Sequence, residues 1–175
     1  NHLNCMKFQK MQHILYGIID NMDHKKNIVY VYCDGGCRGN QKEENIGGYG
    51  VLLMYNDNVK EAKGAEINTS NNKMELKACI ESLKLIKDKS VQVIVTCDSK
   101  YVVDGITKWV NAWVKNNWHK KKPRELIKNK ELWEELYNLK NEFTNLEFVH
   151  CKGHADNAGN NRVDQLANEA MDDLD

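Results

Sequence analysis

The 175 residues are enough for one ordinary domain with its own hydrophobic core, and a 41% hydrophobic content fits a soluble globular chain. No uninterrupted apolar run approaches the ~18–20 residues of a membrane-spanning helix, and the broken apolar stretch from Met11 to Ile19 is followed by no clean signal-peptide cleavage site. Basic and acidic residues balance at 25 each, so any binding of a polyanion has to come from local clusters rather than from net charge.

Residues 1–26 are polar and lack a clear period. They read as an N-terminal extension of unknown function, with a short helix over Met11–Asn21 and Met22 as a candidate natural start. The folded domain is expected over residues 27–175. Ile28 to Asp34 is rich in β-branched and aromatic residues and runs into Gly35-Gly36, which predicts a strand ending in a tight turn. Gly47 to Tyr55 predicts a second strand, Asn56-Asp57-Asn58 a turn, and Val59 to Ile67 a returning third strand. A helix follows over about Ser70–Lys87, with Leu76, Ile80, Leu83 and Ile86 forming a buried stripe. Val91 to Asp98 predicts a fourth strand, apolar enough to be covered on both faces. A helical stretch then carries Trp109, Trp113 and Trp118. The basic run Lys120, Lys121, Lys122 and Arg124 surrounds the only proline, Pro123, with Lys115, Lys128 and Lys130 nearby. Leu132, Leu136, Leu139 and Phe143 mark another helix, Leu146 to His150 a short fifth strand, and Val163, Leu166, Ala167, Ala170 and Leu174 a last helix. This order predicts one α/β domain: a mixed sheet with helices on both faces.

Six cysteines, Cys5, Cys33, Cys37, Cys79, Cys97 and Cys151, are scattered without any C-x-x-C pair. They read as reduced thiols in a cytoplasmic protein.

Asp34 and Asp98 each close an apolar strand. If those strands are neighbours, both carboxylates emerge at one sheet edge, where α/β folds commonly place ligands. Glu75 falls in the first turns of the helix after the hairpin, and Asp164 in the first turns of the last helix. Four converging carboxylates would repel one another unless divalent cations were bound between them. Oxygen donors with few histidines favour Mg²⁺ or Mn²⁺ over zinc. Each residue also has a plainer reading. Asp34 can start a turn, Asn72-x-x-Glu75 can be a capping box, Asp98-Ser99 can cap a helix, and Asp164 can be a solvated helix carboxylate. Periodicity does not decide among these.

Six short segments taken together resemble ribonuclease H type 1. Cys33-Asp34-Gly35-Gly36-Cys37-Arg38-Gly39-Asn40 is similar to that family's first-strand motif, and Gly47-Gly48-Tyr49-Gly50 follows as the pattern expects. Thr69-Ser70-Asn71-Asn72-Lys73-Met74-Glu75-Leu76 resembles the first-helix motif, and Cys97-Asp98-Ser99-Lys100-Tyr101-Val102 the fourth-strand motif. Val149-His150-Cys151-Lys152-Gly153-His154 and Gly159-Asn160-Asn161-Arg162-Val163-Asp164 resemble the closing motifs. The resemblance runs from about Ile28 to Met171 with the motifs in family order.

It implies a five-stranded sheet of order 3-2-1-4-5 with strand 2 antiparallel. It also implies a two-metal-ion endonuclease that cuts the RNA strand of RNA–DNA hybrids and leaves 5′-phosphate and 3′-hydroxyl ends. Asp34, Glu75, Asp98 and Asp164 would bind two Mg²⁺, with Mn²⁺ as a possible substitute, and His154, on a flexible loop, would assist proton transfer or product release. Asn40, Asn71 and Asn72, with backbone groups around Cys37 and Gly39, would contact the hybrid's minor groove, where one strand alone carries 2′-hydroxyls. Ser70 and Asn129 would line a DNA-phosphate pocket. Lys120, Lys121 and Lys122 would hold DNA-strand phosphates, with Trp118 beside them meeting sugar or base. Trp109 and Trp113, four apart, read as packing residues. Where many relatives carry an acid, this chain has Asn161. The expected partner is the hybrid, the expected state a monomer away from any membrane. The competing readings are a non-catalytic hybrid-binding module, another nuclease on the same fold of integrase or resolvase type, and a zinc site at His150, Cys151 and His154.

Overall fold

A computed structural model of the protein describes residues 24–39, 44–122, 125–152 and 157–174. The expectations for the helix over 11–21, Asn40, Pro123, Arg124, Gly153 and His154 lie outside the described residues.

Strands β1 (Ile28–Arg38), β2 (Ile46–Tyr55), β3 (Asn58–Ile67), β4 (Gln92–Cys97) and β5 (Asn145–His150) form one sheet of order β3-β2-β1-β4-β5. β2 pairs antiparallel with β1 and β3, and β4 pairs parallel with β1 and β5. This is the topology expected. The helices are α1 (Asn71–Lys84), α2 (Lys100–Asp104), α3 (Val110–Lys115), α4 (Lys130–Glu142) and α5 (Ala158–Leu174), with a π-helical turn, Gly105–Trp109, joining α2 to α3.

Two features of β1 depart from the expectation. Gly35-Gly36 is not a turn: the strand continues through both glycines to Arg38, because the antiparallel ladder with β2 runs on to Arg38↔Ile46. Its parallel ladder with β4 stops at Cys33↔Cys97. Asp34 is therefore the first residue of β1 beyond the end of β4, and it pairs only with Gly50 of β2. The turn reading of Asp34 is thereby corrected. β4 is also less uniformly covered than expected: its side chains alternate between buried and half-buried.

Side chains on a strand alternate between faces. Val29, Val31 and Cys33 on β1, with Val93, Val95 and Cys97 on β4, face the larger core, shared with α1, α2, α3 and α4. Tyr32, Leu52, Met54 and Val163 form a smaller cluster under α5 on the other face. Trp133 anchors the larger core with no exposed surface. Its Nε1–H donates to the Tyr101 hydroxyl at 2.9 Å, and the Trp113 ring meets it edge-on at 5.1 Å between centroids.

α1 starts one residue later than expected and is capped by Ser70, whose Oγ accepts from the Lys73 amide at 3.2 Å. The Asn72–Glu75 capping box therefore does not form, and Asn71 and Asn72 sit exposed in the first turn. Ser99, not Asp98, caps α2 by accepting from the Val102 amide at 3.2 Å.

Candidate active site

Two glycines set the geometry of the carboxylates. A β-carbon on Gly35 would run into the backbone of Met74 and Glu75, so its absence lets the first turns of α1 lie directly on β1. A β-carbon on Gly50, the cross-strand partner of Asp34, would run into the Val163 carbonyl of α5. One close approach brings Glu75 to Asp34 from one face, and the other brings Asp164 to it from the opposite face.

The result is a compact oxygen cluster. Carboxylate oxygens of Asp34, Glu75 and Asp98 all lie within 4.8 Å of one another. Asp34 is buried at 7% exposure, while Glu75 and Asp98 are half-buried. Asp164, exposed on α5, is near enough to Asp34 for its charge and a side-chain hydrogen bond to act on that carboxyl. Burial, then the charges of Asp98 and Asp164, push the Asp34 carboxyl up to about 8. Burial, then the charges of Asp34 and Asp98, push Glu75 up to about 10, against a hydrogen bond from the Gly35 amide that favours the anion. Burial also raises Asp98, opposed by its hydrogen bond with Asp34. Asp34 and Glu75, so perturbed, hold protons near neutral pH unless a cation replaces them. An all-oxygen donor set of this size suits a hard divalent ion.

Neighbours fix the cluster's rim. The His150 Nε2–H donates to the Asp98 backbone carbonyl at 3.1 Å. Asn45 clamps the approach to α1, its Nδ2 donating to the Thr69 carbonyl at 3.0 Å and its Oδ1 accepting from the Thr69 amide at 2.8 Å. Sequence reading missed both positioning roles, because each depends on partners distant along the chain, and it also missed Trp133. The zinc reading finds no support among the described residues. Cys151 Sγ accepts from Asn157 Nδ2 at 3.3 Å, and neither His150 nor Cys151 belongs to a cluster of candidate metal ligands there.

The outer residues divide. Asn71 and Asn72 flank the cluster at the exposed start of α1, and Cys37 and Gly39 lie at the end of β1 and just past it. Asn129, in a left-handed conformation (φ 60°), shares with Lys73, Lys77 and Lys130 a groove of about 560 Å³. Lys121 and Lys122 are exposed, and Lys120 pairs with Glu125 at 2.5 Å. Trp118 is corrected: it is only 8% exposed, stacked edge-on against Tyr137, so its ring belongs to the core. The exposed tryptophan of this segment is Trp109, at 40%.

A sheet of this order, with carboxylates gathered where β1 outruns β4, defines a class of metal-dependent nucleases. The RNase H family model matches residues 26–172, and the chain belongs to that family. The Ribonuclease H of Clostridium botulinum (strain Hall) is 48% identical over 147 residues, spanning 83% of this chain and 97% of the relative. That of Hydrogenovibrio crunogenus is 46% identical over 146 residues, with the same coverage. Among solved structures, LC9-RNase H1, a type 1 RNase H with the type 2 active-site motif, superposes with TM-score 0.71 at 32% identity over 88% of this chain and 76% of its own. LC11-RNase H1, solved with an RNA/DNA hybrid, gives 0.61 at 29% identity over 83% and 98%.

Proposed function

We propose that residues 27–175 form an endonuclease that hydrolyses the RNA strand of RNA–DNA hybrids, with Asp34, Glu75, Asp98 and Asp164 holding two Mg²⁺ ions. The observation that carries this reading is the meeting of Asp34, Glu75 and Asp98 oxygens within 4.8 Å at the open end of the sheet. When bound there, the cations would supply an activated water and neutralise the departing 3′ oxygen.

The chain's own residues do the positioning. Asp34 forms the floor of the cluster. Glu75 is aimed by the Gly35 amide and Asp98 by the His150 ring. The exposed amides of Asn71 and Asn72 present donors and acceptors to a wide minor groove, which in a hybrid carries 2′-hydroxyls on one strand only. The groove of Asn129, Lys73 and Lys130, in which Lys77 is paired with Glu66, offers amide and ammonium donors to phosphates of the strand that is not cut, and Lys120, Lys121 and Lys122 add cationic contacts further out. His154 and Asn40 complete the proposed set as proton-transfer aid and groove contact. Localisation in the cytoplasm and action as a monomer belong to the same reading.

The test is cleavage of a labelled hybrid beside duplex RNA and duplex DNA, with and without Mg²⁺. Asp98→Asn is expected to lower hybrid cleavage by about three orders of magnitude while leaving hybrid binding largely intact. Retained cleavage would remove Asp98 from the metal site, and equal cleavage of duplex DNA would favour the integrase or resolvase type.

A further inference from the structure

Beneath the carboxylates lies a second cluster that the proposed hydrolysis does not use. We propose that Cys33, Cys79 and Cys97 form a binding site for one thiophilic divalent cation of the zinc class, separate from the oxygen cluster above it.

The three thiols come from β1, α1 and β4, and their sulphurs all lie within 4.8 Å of one another. Cys33 and Cys97 are direct partners in the parallel ladder. Cys79 reaches them from α1, its Sγ 3.3 Å from that of Cys33. All three are free thiols with at most 1% exposure. A single buried cysteine packs as a small apolar side chain. Three on separate elements, with sulphurs in mutual reach, also make a ligand set. Thiolates about 2.3 Å from a tetrahedral zinc-class ion stand about 3.8 Å apart. That separation falls between the 3.3 Å of the Cys33–Cys79 pair and the 4.8 Å limit of the group, so ligation requires only small side-chain shifts.

Donor type separates the two clusters. Hard oxygens suit Mg²⁺, and soft sulphurs suit a thiophilic d¹⁰ ion. The clusters nevertheless share their backbone: Cys33 precedes Asp34, Cys97 precedes Asp98, and Cys79 lies one helical turn after Glu75. On binding, three S–H bonds lose their protons to solvent and three metal–sulphur bonds form. The site passes from neutral to a net charge of −1, and no electron changes hands. Cys97 closes β4, directly before half-buried Asp98.

The test uses the full, reduced chain with Cys5→Ser, Cys37→Ser and Cys151→Ser, so that the three buried thiols are the only ones left, and with Mg²⁺ in excess on the oxygen cluster. Titration with Cd²⁺ alone is expected to raise a thiolate-to-cadmium absorption band that saturates at one ion per chain. Proton release should approach three per ion, and the melting temperature should rise. Adding Cys79→Ala, or Cys33→Ala should that variant fail to fold, is expected to weaken Cd²⁺ binding at least about a hundredfold and abolish the band. The proposal is overturned if no band appears by one equivalent, or if binding survives in the alanine variant that folds. It is equally overturned if binding is lost with Asp34→Asn instead.

Discussion

The two faces of the sheet hold their helices by different physics. On one, α1 and α4 sit on a thick apolar core around Trp133, Leu76, Ile80 and Leu83. On the other, α5 covers a small cluster and is tied to the strands by charge. Arg162 grips Glu61 of β3 through two hydrogen bonds at 2.5 and 3.2 Å, Arg38 reaches Asp172 and Asn168, and Lys63 reaches Asp173 and Glu169. Glu75 thus arrives at the active site from the interior, whereas Asp164 arrives on a helix held by the largely buried Arg162–Glu61 pair and, further along, by exposed, salt-screened pairs. Glu75 is held by packing, and Asp164 in part by charge pairs.

Four substitutions and conditions can break or sharpen that contrast. The largest effect is expected from Trp133→Ala, which empties the centre of the thick core and should cost about 3–5 kcal/mol in urea unfolding. A loss no greater than that of Val163→Ala on the thin face, about 2 kcal/mol, would erase the distinction. Next, Gly35→Ala should push α1 off β1 and displace Glu75, lowering hybrid cleavage about a hundredfold. Unchanged turnover would show that the close approach is not needed.

Third is the pH dependence of the metal-free protein. Carboxyls in the unfolded chain titrate near pH 4, at about their reference values, whereas folded Asp34 and Glu75 hold their protons up to about 8 and about 10. Between those limits the folded chain binds more protons than the unfolded one, so stability falls as pH rises. The metal-free melting temperature should therefore drop from about pH 5 to about pH 9. Mg²⁺ should oppose the drop, and Asp34→Asn should shrink it. A flat profile would mean that burial and mutual repulsion do not raise these carboxyls as the geometry requires. The smallest effect is expected from Asn161→Glu, which adds one charge near the start of α5 and should shift the Mg²⁺ dependence of cleavage by about two- to tenfold. An unaltered Mg²⁺ titration would detach Asn161 from the site.

Much of this was readable from residues alone. The strand segments and helix stripes followed from local pattern, because each signal lies within a few residues of the group it places, whereas the strand order and the choice of Asp34, Glu75 and Asp98 came from the resemblance to ribonuclease H type 1. The unread parts depend on partners far along the chain. Gly35-Gly36 carries a strong turn signal, yet pairing with β2 draws both residues into the strand. Trp118 stands beside lysines in the sequence, but a left-handed backbone (φ 61°) turns it inward. Trp133 was hidden behind a leucine stripe that explained α4 well enough without it. Asn45 and His150 act through hydrogen bonds to segments 24 and 52 residues away.

The alternation of side chains along β1 has a consequence for how such a domain can change. Cys33 and Asp34 are neighbours that point to opposite sides, one into dry interior and the other toward the reaction. A single residue inserted earlier in the strand, with its pairing partners unchanged, would trade their places: a carboxylate would enter the oil and a thiol would face the phosphate. Length variation in this lineage should therefore be confined to loops, with β1 kept at constant spacing from Ile28 to Asp34.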